Sequence, residues 1–208
     1  MKLKYWYLKL SIVFLVVALV ACFIYAALLQ NWLWSFFAFC MLFISSIPTL
    51  CRRYLEIDLP YLFDIFICLS LLFHLGNGLF GFDLSIPLYN KFTHFFSSAV
   101  LAFLVLILLF VFNEYYRGIA VNRLKIFVDV VVITMALGVV WEFLEWGTDA
   151  MFGLHSQLGL TDTMGDLFAD MLGGLFIGLI GMVLIQRRIL QRFSKNFKKH
   201  FPELMDDE

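Results

Sequence analysis

The sequence lacks every short motif that would identify a common catalytic chemistry. It contains no HExxH zinc-peptidase motif, no GxSxG nucleophile motif and no P-loop. It also has no CxxC pair, and Cys22, Cys40, Cys51 and Cys68 lie within or beside apolar segments. We therefore interpret the cysteines as small buried hydrophobic residues rather than disulfide partners or metal ligands. An internal repeat is absent too, which counts against a secondary transporter.

Apolar residues dominate what is present. Of the 208 residues 62% are hydrophobic, whereas a soluble domain is about half apolar. We predict an all-α polytopic membrane protein, a bundle of six transmembrane helices, because a membrane span must satisfy its backbone hydrogen bonds internally. The single integral membrane domain is expected over residues 1–208, with helices at about 10–29, 32–50, 60–80, 90–112, 126–146 and 161–185, and a cytoplasmic tail at 186–208.

The segment ends carry further expectations. The first apolar segment is roughly 20 residues long, which is too long for a signal-peptide core, so we expect an uncleaved membrane anchor. Residues 83–87 are predicted to form a loop. Gly147, Gly153 and Gly159 are expected in the loop that precedes the last helix.

The basic residues predict the orientation. With six spans, 14 of the 15 Lys and Arg residues fall on one side, and Lys91 alone falls on the other. The positive-inside rule makes the basic side cytoplasmic, so both termini are expected there. The 14 residues are Lys2, Lys4, Lys9, Arg52, Arg53, Arg117, Arg123, Lys125, Arg187, Arg188, Arg192, Lys195, Lys198 and Lys199.

Polar residues far apart in the sequence are expected to meet at the outer end of the bundle. The fourth segment begins there, the fifth ends there and the sixth begins there. On the fifth segment the acidic residues follow one helix face with spacings of three and four, and on the sixth they are spaced by four. The residues concerned are Lys91, His94, Glu142, Glu145, Asp149, Asp162, Asp166 and Asp170. The last stripe continues into Gly174 and Gly178, where another helix can approach closely.

Four of these carboxylates need a partner that compensates their charge within the membrane. They are Glu142, Glu145, Asp166 and Asp170. A charge near the middle of a membrane helix costs about 2.5–3.5 kcal/mol, and one lysine with one or two histidines cannot neutralise them all. Protonated carboxyl groups, a water-filled cavity or a divalent metal ion would each resolve the cost. If a metal is the cofactor, its candidate ligands are His94, Glu142, Glu145, Asp166 and Asp170. The candidate catalytic residues are Glu142, Glu145 and Lys91.

Other polar residues have ordinary structural interpretations. Asp162 is expected to cap the last helix, and Asp149 either to belong to the acidic site or to be simply solvated. Asp64 is expected to pair with Arg52 or Arg53. The remaining residues of this kind are His74, Asp129, Trp141, Trp146, His155 and Gln157, of which Trp141 and Trp146 fit an aromatic belt at the membrane surface.

Three stretches of the sequence carry a resemblance to a known family. Residues 90–94 (NKFTH), 141–146 (WEFLEW) and 157–174 (QLGLTDTMGDLFADMLGG) resemble the YjdF-type bacterial inner-membrane proteins. They are more distantly similar to VanZ-like proteins, although residue 90 is Asn where that pattern has Asp. The resemblance implies a multi-pass protein of the bacterial inner (cytoplasmic) membrane and, by analogy with the glycopeptide resistance associated with VanZ-like members, a role in the cell envelope.

Three functions remain open from the sequence. A metal or acid–base enzyme would act on a lipid headgroup or lipid-linked envelope precursor. A non-catalytic protein would bind a lipid or an amphipathic antibiotic, and a small ion-coupled transporter would use the carboxylates as a relay. Membrane lipids are the expected partners, and nucleic acid is not.

Overall fold

All regular secondary structure in the described part of the chain is helical. The computed structural model describes residues 6–54, 59–115, 122–153, 156–188 and 190, and no β-strand occurs in these ranges. The helices are α1 (Trp6–Leu28), α2 (Trp32–Tyr54), α3 (Tyr61–Phe80), α4 (Phe82–Ser85), α5 (Tyr89–Tyr115), α6 (Arg123–Phe152) and α7 (Leu160–Gln186). Every helix except α4 is long and apolar enough to cross a membrane. The prediction of six helical spans is confirmed for this part of the chain.

Some of the residues named in the predictions from the sequence lie outside the described ranges. They are Lys2, Lys4, Arg117, His155 and the tail residues 191–208, including Arg192, Lys195, Lys198 and Lys199. The orientation predicted from the basic residues therefore continues to depend on the sequence.

Helix α6 is longer than the sequence predicts. It continues to Phe152, so Gly147 lies within the helix and not in a loop. A glycine inside a helix costs about 1 kcal/mol relative to alanine, which is less than the cost of unpaired backbone groups near lipid. The helix ends at Gly153, whose φ of 65° is left-handed and whose N–H donates to the Asp149 carbonyl oxygen.

Two other boundaries also differ from the prediction. Helix α2 does not end near residue 50, because it continues past Pro48 to Tyr54. The expected loop at 83–87 overlaps the short helix α4, which Gly81 precedes with a left-handed φ of 61°. In both places the backbone keeps local hydrogen bonds, as an apolar environment favours.

The described residues up to Tyr89 form one compact unit. Here α1, α2 and α3 pack around the buried side chains of Leu19, Ala38, Cys68 and Leu75. At the end of α2, the Arg52 guanidinium donates hydrogen bonds to both carboxylate oxygens of Asp64, which is fully buried. The predicted pairing of Asp64 with Arg52 is therefore confirmed.

The described residues from Asn90 onward form a second compact unit of α5, α6 and α7. Glycines on α7 let both neighbouring helices approach it. A Cβ at Gly173 would lie 2.7 Å from the Phe95 carbonyl oxygen on α5, and one at Gly178 would lie 2.8 Å from the Phe127 ring on α6. The close approach that the Gly174 and Gly178 spacing predicts is confirmed, since both residues are buried. The core below these glycines contains Ala102, Leu106, Phe110, Ile126, Val130, Ile177 and Ile185.

Enlarging Gly173 should destabilise the second unit. In Gly173→Val the new side chain collides with the α5 backbone, which cannot rotate away as a side chain can, so we expect a loss of about 1–3 kcal/mol. Gly147→Ala is the matched control, because a Cβ there meets nothing within 4 Å. Thermal unfolding of the detergent-purified chains measures both. Equal stability of Gly173→Val and the wild type would contradict the close packing.

Candidate functional site

The polar residues of the second unit gather at one end of its three helices. This is the end where α5 and α7 begin and α6 ends. The side chains that contact one another there come from all three helices, as the topology of the sequence predicts. They are Asn90, Lys91, His94 and Ser98 on α5, Glu142 and Glu145 on α6, and Asp162, Asp166 and Asp170 on α7.

Asp166 is compensated by the first turn of α5. The Lys91 ammonium lies 2.9 Å from Asp166 Oδ1 and 2.5 Å from Asp162 Oδ1. The Asn90 amide donates to both Asp166 oxygens at 3.1 Å. Asp166 is only 1% exposed, so these contacts replace the water that its carboxylate has lost.

Asp170 is held one helical turn deeper. Its Oδ1 accepts a 2.6 Å hydrogen bond from the Ser98 hydroxyl and lies 3.3 Å from His94 Nδ1. Gly138 on α6 leaves the room for this carboxylate, because a Cβ there would collide with it. Asp170 thus fixes the orientation of the His94 ring, with Nδ1 facing α7 and Nε2 facing away from Asp170.

His94 lies beside two glutamates of α6. One ligand atom each from His94, Glu142 and Glu145 lies within 4.8 Å of the others. His94 is 3% exposed and Glu142 is 5% exposed. Neither His94 Nε2 nor either carboxylate oxygen of Glu142 has a hydrogen-bond partner among the described residues. Thr163 on α7 lies near Glu142, but the geometry between the two side chains does not make a hydrogen bond.

Glu145 is the third member of this group. Its Oε1 accepts a 2.8 Å hydrogen bond from the Trp141 indole nitrogen, so Trp141 orients a site carboxylate and is more than a membrane anchor. The other oxygen of Glu145 is left for a further partner. Asp166 approaches the same group, with Oδ1 at 3.7 Å from His94 Nε2.

The donor set fits a divalent metal ion. A histidine that ligates a metal usually donates its other ring N–H to a carboxylate or a similar acceptor, and Asp170 stands in this position beside His94 Nδ1. Two glutamates and one histidine supply three ligands, and a catalytic metal site keeps a further position open for water or substrate. Of the five predicted ligands, the geometry groups His94, Glu142 and Glu145. Asp166 and Asp170 lie beside them with other partners.

Two acidic residues lie at the edge of the site. The Asp149 carboxylate accepts hydrogen bonds from the backbone N–H groups of Ser156 and Gln157, both at 2.9 Å, and so fixes the loop after α6. The sequence predicts that Asp162 caps α7, but the N-cap residue of this helix is Gly159. The Asp162 carboxylate pairs with Lys91, and one of its oxygens lies 3.4 Å from the Leu158 nitrogen.

Asn90 and Ser98 are site residues that the ligand prediction did not include. Helices α5 and α7 both begin at the polar end, so the first turns of both helices lie close to it. The Asn90 amide donates to Asp166 and the Ser98 hydroxyl donates to Asp170, across sequence separations of 76 and 72. The shared end of the two helices is the signal in the sequence that predicts a meeting of their polar residues.

Asp170→Asn should loosen the orientation of His94 without removing a grouped ligand. Loss of a carboxylate partner of a ligating histidine typically lowers metal affinity by about 10–100-fold. A metal titration of the purified chain measures this. Asp129→Asn is the control, because Asp129 pairs with Lys125 at the other end of α6. Unchanged metal affinity in Asp170→Asn would mean that Asp170 does not act through His94.

The fold and the site together define a class, that of an all-helical, multi-pass membrane protein with a buried acidic site. A family profile described as "Predicted membrane protein (DUF2238)" matches residues 7–187. The chain belongs to this family, whose matched region includes all six spans almost completely. No curated protein and no solved structure matches the chain.

Proposed function

We propose that this protein is a metal-dependent enzyme of the bacterial inner membrane that acts on a lipid headgroup or a lipid-linked envelope precursor. The observation that carries the proposal is that two buried groups, His94 Nε2 and the Glu142 carboxylate, have no hydrogen-bond partner among the described residues. Leaving such groups unpaired costs about 1–3 kcal/mol each, and more for a charged group. A cation bound between them and Glu145 would remove that cost.

The proposed ligands have distinct supports. His94 is oriented by Asp170, and Glu145 is oriented by the Trp141 indole. Glu142 has no hydrogen-bond partner among the described residues, so its carboxylate is the one best able to take a proton from a reacting water and to return it. The metal, when bound, would lower the pKa of that water and polarise a phosphoryl or carbonyl oxygen.

Lys91 is proposed to act at the entrance. It is 28% exposed, and it keeps Asp166 and Asp162 paired. A substrate phosphate approaching the site would meet this ammonium first. Because two carboxylates already surround it, Lys91 serves better to balance charge during the reaction than to bind a free anion strongly.

The substrate class follows from the surroundings and the leaflet. The site lies at the ends of apolar helices, and neighbouring side chains such as Phe143 and Phe168 are exposed where lipid would contact them. The opposite end of this unit has Arg123, Lys125 and Arg187, so the positive-inside rule assigns the site to the outer leaflet. A lipid or lipid-linked substrate can reach such a site without leaving the membrane.

The test combines metal content with turnover. We expect the full chain, purified in mild detergent, to contain about one divalent metal ion and to lose it to a strong chelator. Lipids of the bacterial envelope are then offered to the metal-loaded protein, and headgroup release is followed by mass spectrometry. Turnover that stops after chelation and returns with metal supports the enzyme. Metal binding without turnover of any envelope lipid would instead favour the non-catalytic binder.

A further inference from the structure

A cavity of about 410 Å³ lies in the first unit, among the ends of α1, α2 and α3. The start of α1 contributes Lys9, the last turn of α2 contributes Arg52 and Arg53, and the start of α3 contributes Tyr61. Because α1, α2 and α3 are consecutive spans, these residues lie at the same end of the unit. The cavity is therefore at the depth where a membrane protein meets lipid headgroups.

The cavity has a fixed cationic wall. Arg52 donates to both oxygens of the buried Asp64, and the Thr49 hydroxyl joins the same network. The Arg52 guanidinium also lies 4.7 Å from the centre of the Tyr61 ring. Arg52 is thus neutralised and immobilised, which makes it a support for the cavity rather than its source of net charge.

The net positive charge comes from Lys9 and Arg53. In the described part of the chain, neither residue forms an ion pair with a carboxylate. The Lys9 ammonium lies 5.3 Å from the centre of the Tyr61 ring, which orients it at the cavity without cancelling its charge. Two cations on one concave surface, with no ion pair among the described residues, attract an anion with several acceptor oxygens.

We propose that this cavity binds the phosphate-bearing headgroup of an anionic membrane lipid. Lys9 and Arg53 would contact the phosphate oxygens, and the apolar Ile12 and Val13, which also line the cavity, would contact the start of an acyl chain. A free phosphate ion would use the two cations but not this apolar wall. Basic pockets between transmembrane helices are a known mode of anionic headgroup binding. The inference does not depend on the metal site of the second unit.

The test compares lipid binding to the full chain by native mass spectrometry, with phosphatidylglycerol and phosphatidylcholine as the probes. We expect the wild type to bind phosphatidylglycerol in preference. The variant Lys9→Gln/Arg53→Gln should bind phosphatidylglycerol about thirty-fold more weakly, because each basic residue near an anionic headgroup contributes about 1 kcal/mol. Its phosphatidylcholine binding should not change.

Two further variants separate charge at the cavity from charge in general and from misfolding. Arg123→Gln/Lys125→Gln removes two cations outside the cavity and should retain the preference for phosphatidylglycerol. Lys9→Arg/Arg53→Lys keeps the charge and should retain it as well. An unchanged preference in Lys9→Gln/Arg53→Gln, or an equal loss in both double glutamine variants, would overturn the proposal. Displacement of bound phosphatidylglycerol by inorganic phosphate at comparable concentration would overturn the assignment to a lipid.

Discussion

Glu142→Gln is expected to weaken metal binding strongly and to stop lipid turnover. The substitution preserves the shape of the side chain but removes one of the two carboxylates grouped with His94. Loss of a ligand should exceed the effect of losing an outer partner, so we expect metal affinity to fall by more than about 100-fold. Metal analysis after dialysis and a competition titration with a chelator measure the loss.

Asp149→Asn is the matched control for this prediction. It makes the same change in charge on the same helix, but Asp149 binds the backbone of Ser156 and Gln157 and is not among the grouped ligands. The control should keep its metal and lose only the stability of the loop. Equal metal loss in both variants would show that general negative charge, and not the site geometry, holds the ion.

Glu142→Gln also distinguishes a metal site from a purely structural polar network. Without a cation, Glu142 is a buried acidic group with no hydrogen-bond partner among the described residues, and replacing it by an uncharged amide should stabilise the metal-free protein. With a cation, the wild type should gain thermal stability when metal is added, whereas Glu142→Gln should not. No metal-dependent change in the wild type would contradict the proposed site.

Arg52→Ala has the largest expected effect on stability. Asp64 is fully buried and receives two hydrogen bonds from Arg52, so the substitution leaves a carboxylate in the protein interior without its cation. Breaking a buried ion pair from one side costs about 3–5 kcal/mol. Thermal or denaturant unfolding of the detergent-purified chain measures the loss.

Lys125→Ala provides the comparison for Arg52→Ala. Lys125 pairs with Asp129 one turn along α6, but its side chain is 52% exposed. An exposed pair at this helical spacing contributes about 0.3–0.5 kcal/mol. A similar small loss in both variants would mean that Arg52 does not compensate Asp64 in the folded protein. In that case Asp64 would also not hold Arg52 in place at the wall of the cavity in the first unit.

The sequence predicts the location of the acidic site well because topology alone determines it. Each apolar segment is long enough to span, so every second helix end falls on the same side. Lys91, Glu142 and Asp166 must then lie at one end of their helices, whatever their separation in the sequence. Arg52 and Asp64 are likewise expected to pair, because α2 ends and α3 begins on the same side.

The partner of each individual carboxylate cannot be predicted from the sequence in the same way. Asp166 and Asp170 lie one turn apart on the same stripe of α7, yet Asp166 meets Lys91 and Asp170 meets His94. This pairing depends on how α7 is rotated and shifted against α5, which the packing at Gly173 determines. Spacing within one helix gives the shared face, but it does not give the partner on the next helix.

The proposed metal site can be tested by X-ray absorption spectroscopy of the metal in the purified full chain. We expect a coordination shell of nitrogen and oxygen with one imidazole, matching His94, Glu142 and Glu145, and no sulfur ligand. In Asp149→Asn the spectrum should not change. A wild-type protein that neither retains nor takes up a divalent metal, or a metal whose shell contains sulfur or no imidazole, would contradict it.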